Sequence, residues 1–192
     1  MEIEELIKKI IPQSDYQHRE GFNNRPIIDE LPENEKRIVE DELIRLLLND
    51  LGEQTDPLIV ETLAYLKSEK SLPVLKSLLN DQVNNITKLT IASSIFEISR
   101  DSEMVAIAIS TFKKISQRKD QYYTNGLIEA FFSTFKNISQ RKDQYYIYDL
   151  IAAFYYLAKF KNPEINKILE RYTNHKEYLV SYNAKRYLDL FK

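Results

Sequence analysis

The chain has 192 residues, among which there is no cysteine and no tryptophan, and glycine and histidine are scarce. Without cysteine there can be no disulfide bonds, thiolate nucleophiles or cysteine-bearing metal sites. Three glycines are too few for a glycine-rich phosphate-binding loop. Sheet proteins need many tight turns and therefore more glycine, so three glycines and six prolines favour helices joined by short polar loops. We therefore expect an all-α fold.

Long apolar runs are missing as well. No stretch approaches the roughly 20 apolar residues that a membrane-spanning helix needs. The first residues, MEIEELIKKII, are acidic and amphipathic, unlike the basic-then-apolar pattern of a signal peptide. A hydrophobic content of 43% and a charged content of 29% are typical of a folded protein. The sequence predicts a cytoplasmic protein with no membrane contact.

Charge and aromatic residues are unevenly distributed along the chain. Residues 1–55 hold 14 acidic and 7 basic side chains, whereas residues 112–192 hold 8 acidic and 15 basic ones. Of the 22 phenylalanines and tyrosines, all but four lie at or beyond residue 112. This asymmetry concerns partners and association rates more than the fold.

A tandem duplication is the most informative feature of the sequence. Residues 111–133, TFKKISQRKDQYYTNGLIEAFFS, are followed by residues 134–156, TFKNISQRKDQYYIYDLIAAFYY. The segment ISQRKDQYY is identical in the two copies. A copied unit of this size is tolerated where each unit packs on its neighbours, so the duplication favours a stack of helical repeats.

Helix-start signals divide the chain into about ten helices. Asp56-Pro57 and Asn162-Pro163 each combine a capping side chain with a proline suited to the first helical position. Asp101 or Ser102 is predicted to cap a further helix, and one that starts after Pro32 should end near residues 49–50.

Residues 56–81, DPLIVETLAYLKSEKSLPVLKSLLND, resemble a HEAT-type repeat, with a capped helix, a short break and a second helix that carries a proline near its start. Residues 176–191 are similar to the first helix of such a repeat, and residues 155–172 fit its break and second helix. The resemblance implies a right-handed α-solenoid over residues 56–192, with residues 1–55 as an irregular N-terminal cap. Such proteins mostly bind other proteins, and some bind nucleic acid.

The duplication departs from the HEAT pattern, because adding one helix instead of a hairpin reverses the direction of the following stack. The first explanation is an irregular joint near residues 137–145. The second, which we favour, is that one copy supplies the second helix of an antiparallel pair. Helices that start near residues 120 and 143 and run parallel would exclude the second explanation.

The two RKDQYY segments are the first candidate binding site. If they occupy equivalent corners of the stack, they present a repeated patch of basic and aromatic side chains suited to a protein interface or to single-stranded nucleic acid. The structural alternative, which we favour, is that Asp120 and Asp143 cap helices while the basic side chains are solvated. The candidate residues are Arg118, Lys119, Tyr122, Tyr123, Arg141, Lys142, Tyr145 and Tyr146.

A second candidate lies in the long polar connection formed by residues 12–33. Phe22 could anchor a docking loop with Arg19 and Arg25 beside it. The equally supported alternative is a structural plug, in which Phe22 and residues 27–28 cover the apolar end of the first repeat.

No pattern in the sequence indicates catalysis, and we expect no enzyme, no metal and no cofactor. His18 and His175, the only two histidines, are far apart in sequence, and neither lies in a nucleophile context. Glu40 and Glu42 fall on what we predict to be an ordinary solvated helix face.

Two functions remain open at this stage. The first is a protein-binding module that covers a partner's surface, with a bacterial immunity protein that neutralises a toxin as a special case based on fold and size. The second is a nucleic-acid binder that resembles the HEAT-like DNA alkylation-repair glycosylases and uses the basic, tyrosine-rich C-terminal half. The overall pI of about 5.8 favours the first.

Overall fold

The computed structural model describes residues 3–13, 21–49, 55–81, 84–123 and 136–190, and within 118–145 it gives the backbone of the helical residues without their side chains. The described residues form helices joined by short connections and contain no strand, which confirms the all-α fold. The α-helices are α1 (Ile3–Ile10), α2 (Arg25–Asp29), α3 (Glu33–Asn49), α4 (Pro57–Tyr65), α5 (Leu72–Asp81), α6 (Asn85–Ser99), α7 (Glu103–Tyr123), α8 (Lys136–Ala158), α9 (Pro163–Tyr172) and α10 (Tyr178–Leu190), and a 3₁₀ turn spans Glu69–Ser71.

Three of the predicted caps are in place. The Leu58 amide donates a hydrogen bond of 2.9 Å to Asp56 Oδ1, and the Glu164 amide donates one of 2.8 Å to Asn162 Oδ1. Asp101 Oδ1 accepts from the Glu103 amide at 3.1 Å. These bonds satisfy amide donors of the first turn, which have no partner inside the helix.

Contacts divide the chain into two compact units. The first comprises residues 1–82 and 94–100, and the second comprises residues 83–93 and 101–192. Helix α6 therefore contributes its first part to the second unit and its last part to the first. A division by contacts does not test the predicted division into an N-terminal cap over residues 1–55 and helical repeats over residues 56–192. That division stays a prediction.

The first unit has its core along α3. Val39, Leu43 and Leu47 recur every four residues and are fully buried, as expected for one stripe of an amphipathic helix. Helices α1, α4 and α5 all contact α3. Burial of these side chains is the main source of stability, at about 1.5–3 kcal/mol for each large aliphatic residue.

The second unit is built around the antiparallel pair α7 and α8. Phe112 lies 6.0 Å from Phe154 between ring centroids, and four residues further along α7 the Ser116 carbonyl accepts a hydrogen bond from Tyr146. From residue 112 to residue 116 of α7, the contacting residue on α8 moves back from 154 to 146, so the two helices run in opposite directions. Tyr172 of α9 completes an aromatic cluster, at 5.7 Å from Phe112 and 5.1 Å from Phe154.

Helix ends show how the chain folds with so few glycines. Lys67, Arg100 and Lys161 follow α4, α6 and α8 with φ of 56°, 58° and 47°, the left-handed conformation that glycine usually takes at this position. After α4, the Ser68 amide donates to the Leu63 carbonyl at 3.0 Å and so closes the last turn. Basic side chains suit these positions because the C-terminal end of a helix carries partial negative charge.

Candidate interaction surface

The structure places the two ISQRKDQYY segments inside helices and not at corners. The first forms the C-terminal end of α7, and the second lies near the N-terminal end of α8. The prediction that Asp120 and Asp143 cap helices is therefore wrong. The buried residues Met104, Ala108 and Ile115 continue one helical stripe with no glycine or proline to interrupt it, so α7 extends through the segment.

Tyr146 is the one predicted residue of the RKDQYY segments whose side chain is described. It is half-buried, and its hydroxyl donates to the Ser116 carbonyl at 3.3 Å. The other seven, from Arg118 to Tyr145, lie outside the described side chains. The bond joins the second residue of the first ISQRKDQYY segment to the last residue of the second segment. The explanation that one copy supplies the second helix of a pair concerns a helix that starts near residue 120. Residues 124–135 lie outside the described residues, so this explanation stays a prediction.

The polar connection holds a buried structural anchor. Asn24 is buried, and its Nδ2 donates to the Ile10 carbonyl at 3.1 Å and to Thr62 Oγ1 at 2.7 Å. Ile28 is also buried, and Phe22 is half-buried. These contacts tie α2 to α1 and α4 within the first unit.

Of the predicted docking residues in this connection, Arg19 lies outside the described residues. Arg25 is exposed, with its guanidinium carbon 5.0 Å from the centre of the Tyr65 ring. The Tyr65 hydroxyl donates to Asp29 at 2.6 Å, and this hydrogen bond raises the pKa of Tyr65 above its ordinary value of 10.0. Arg25 and Tyr65 therefore contribute to the local structure around α2.

The structure offers no metal site among the residues it describes. No three His, Asp or Glu side chains of that part of the chain are grouped so that they could hold an ion. His18 lies outside the described residues. His175 Nδ1 accepts from the Glu177 amide at 3.2 Å, and its ring stacks 6.0 Å from that of Tyr172. Burial raises the pKa of Tyr172, a residue of the aromatic cluster.

An exposed face that the sequence analysis missed lies on α10. Val180 and Ala184 are fully buried, which fixes the inner side of this helix against the rest of the second unit. Tyr178 and Tyr182 lie on the opposite side, 73% and 48% exposed, and their rings stack with centroids 5.8 Å apart. We call Tyr178, Tyr182, Lys185, Arg186 and Leu190 the outer face of α10.

The outer face is positively charged as well as aromatic. Lys185 and Arg186 are exposed, and neither forms an ion pair with any residue that the structure describes. The Arg186 guanidinium carbon lies 5.9 Å from the centre of the Tyr187 ring, close enough for a weak cation–π contact. Tyr187 itself packs edge-on against Tyr155 of α8, with centroids 5.8 Å apart. This contact helps to hold the inner side of α10 against α8.

A shallow depression of about 540 Å³ lies on the same side of α10. Leu190, 60% exposed, forms one end of it, and Tyr182 forms the other. Lys185, Arg186 and Asp189 line it between them. The recess therefore combines two apolar or aromatic side chains with two cations and one carboxylate.

Among the described residues, no helix combines the length and the apolarity that crossing a membrane requires. No protein-family model, curated protein or solved structure matches the chain.

Proposed function

We propose that this chain is a non-enzymatic, cytoplasmic protein-binding module, built as a short HEAT-like solenoid, that acts by covering the surface of a partner protein. The observation that carries the proposal is the outer face of α10. Tyrosine and arginine are the residues that most often dominate the energy of protein interfaces. Isolated exposed apolar residues are common, but a contiguous set on one rigid helix favours a binding surface.

A nucleic-acid surface is the second candidate, because stacked tyrosines beside cations also suit bases and phosphates. Two observations favour protein over nucleic acid. The outer face carries only two basic residues, whereas phosphate tracking uses a row of them. Leu179 and Leu190 are also 49% and 60% exposed, and they add apolar area that a phosphate backbone would not use.

The immunity protein is the special case of this proposal in which the partner is a toxin. It is supported by the small size of the chain and its helical fold, and by the net charge of −7 over residues 1–55, which would complement a basic toxin. In this case the acidic third of the chain would attract the basic toxin, and the tyrosine-rich C-terminal half, which includes the outer face of α10, would supply anchors.

The test is a pull-down from lysate of the source cells, with and without nuclease, using three baits. These are the unmodified chain, the double variant Tyr178→Ala/Tyr182→Ala, and the control Tyr148→Ala. Tyr148 is 59% exposed on α8 and is not part of the outer face. We expect one nuclease-resistant partner, retained by the control and weakened about 30-fold or more by the double variant, as for an aromatic hot spot.

The other outcomes point to different functions. Recovery that disappears with nuclease would identify a nucleic-acid surface and contradict the proposal. A nuclease-resistant partner that the double variant still binds would move the interface away from α10 and contradict the role of the outer face.

A further inference from the structure

We infer that the outer face of α10 binds an acidic segment of its partner, with an apolar side chain of that segment seated between Tyr182 and Leu190. This inference rests on the proposed function, because it specifies the chemistry of the protein that the same face binds. It follows from the charge, the exposure and the arrangement of the outer face.

The charge of the face selects the sign of its partner. Lys185 and Arg186 follow one another on α10, and both are exposed. Asp189 lines the same recess, so two cations and one carboxylate leave it a net charge of +1. Neither cation pairs with a carboxylate in the part of the chain that the structure describes. The cations of the outer face therefore remain available to carboxylates from outside.

The arrangement of the face selects a peptide segment over a small anion. The outer face runs from Tyr178 to Leu190, so it extends over about three turns, or roughly 18 Å. An extended or helical segment can place one apolar side chain in the recess beside Leu190 and carboxylates over the two cations. A single phosphate or carboxylate would occupy only one end of this surface.

Rigidity of the face favours affinity. Val180 and Ala184 are fully buried, and Tyr187 packs on Tyr155, so α10 is held along its inner side. The stacking of Tyr178 on Tyr182 restricts both rings before a partner arrives. Side chains that are ordered in advance lose less conformational entropy on binding.

The test is a selection of random 12-residue peptides displayed on phage, at about 0.15 M salt, against the full chain. Parallel selections use Lys185→Glu/Arg186→Glu, Tyr182→Ala, and the control Lys167→Glu, which alters an exposed lysine of α9. We expect peptides rich in Asp and Glu around an aliphatic or aromatic residue. Charge reversal should weaken these peptides at least about tenfold, as for close charge pairs across an interface. The Tyr182 variant should do the same, and the control should change binding less than about twofold.

Each alternative result overturns the inference. Selected peptides without an acidic excess, or acidic peptides that bind the charge-reversed variant equally well, would exclude the predicted partner chemistry. A labelled 20-nucleotide single-stranded DNA that displaces the peptides and binds more tightly would assign the face to nucleic acid. Self-association of the chain through the outer face, measured by sedimentation at micromolar concentration, would assign it to a second copy.

The two proposals fail in different ways. A nuclease-resistant partner that depends on Tyr178 and Tyr182, together with a peptide selection showing no acidic preference, would leave the protein-binding function in place and remove only the acidic segment. A nuclease-sensitive pull-down would remove both.

Discussion

The shortage of glycine has a direct consequence at the residue scale. A side chain with a Cβ costs about 1–2 kcal/mol in the left-handed conformation, and three basic residues adopt this conformation after helices. Their charge next to a helix C-terminus recovers part of this free energy. The low glycine content favours helices, as predicted, but it does not indicate which residues close them, because lysine and arginine are more common inside helices than after them.

Replacing Lys161 by glycine is expected to raise the free energy of unfolding. Lys161 is exposed and has φ 47°, so glycine relieves the backbone without removing a packed side chain. The gain should be about 0.5–1 kcal/mol, because the greater freedom of glycine in the unfolded chain offsets part of the relief. Urea unfolding measures it. Lys161→Ala is the control, since it removes the charge and keeps the Cβ, and equal stability of the two variants would contradict the argument.

Asn24 provides a second prediction at this scale. Asn24→Ala removes hydrogen bonds to the Ile10 carbonyl and to Thr62 Oγ1 in a buried position, and it leaves the carbonyl without this donor. We expect a loss of about 2 kcal/mol in the free energy of unfolding. Asn80→Ala, at an exposed position in α5, should change it by less than about 0.5 kcal/mol. Similar effects of the two substitutions would show that Asn24 has no anchoring role.

At the scale of elements, the sequence predicts helices well wherever a cap and a proline stand together. Asp56-Pro57 and Asn162-Pro163 begin helices where expected, because proline lacks only an amide that the first turn does not need. The prediction of caps at Asp120 and Asp143 failed because no proline follows either residue. Aspartate caps helices well but also occurs inside them, and neither residue has a helix-breaking neighbour.

The candidate site was less predictable than the elements. The duplicated segments attract attention because they are identical, although identity between copies says nothing about exposure. The outer face of α10 has no unusual residue pattern. Its signal is the spacing of Tyr178, Tyr182 and Lys185 opposite Val180 and Ala184, which indicates an outer side only once the inner side is known. The helical spacing of Val180 and Ala184 predicts the inner side, but spacing alone does not show whether another part of the chain covers the opposite side.

The aromatic cluster should dominate the stability of the second unit. Phe154 is fully buried between Phe112 and Tyr172. Phe154→Ala is expected to lower the free energy of unfolding by about 3–5 kcal/mol, through lost burial and the cavity that remains. Tyr148→Ala, on the exposed side of the same helix, should cost less than about 0.5 kcal/mol. Chemical denaturation followed by circular dichroism distinguishes the two, and a small effect at Phe154 would mean that the cluster does not hold α7, α8 and α9 together.

At the scale of the whole molecule, charge is separated along the chain. Residues 1–55 carry a net charge of −7 and residues 112–192 a net charge of +7. In the first unit, ion pairs such as Lys70 with Asp41 neutralise part of this charge, whereas the cations of the outer face have no such partner in the described chain. Surface ion pairs contribute little to stability, so the separation matters mainly for the rate and the specificity of association.

Stability of the whole molecule is expected to fall at alkaline pH. Burial raises the pKa of Tyr172, and the hydrogen bond to Asp29 raises that of Tyr65, both from the ordinary value of 10.0. Hydrogen bonds to Glu33 and Asp41 raise the pKa of Lys36 and Lys70 above 10.5. A pKa raised by folding means that the folded state holds its proton more tightly than the unfolded state. The stabilisation is therefore complete below the ordinary pKa and is lost as pH rises through the folded one.

The urea midpoint should accordingly stay level between about pH 7 and 9 and fall above about pH 10. The double variant Tyr65→Phe/Tyr172→Phe keeps both rings and removes both hydroxyls, so its midpoint should fall less steeply over the same range. The urea midpoints of the two proteins at pH 8 give the general effect of the substitutions on stability. This effect is separate from their effect on how steeply the midpoint falls with pH. An equally steep decline in the variant would assign the alkaline instability to the lysines, since Lys36 and Lys70 would then be the groups that release protons on unfolding.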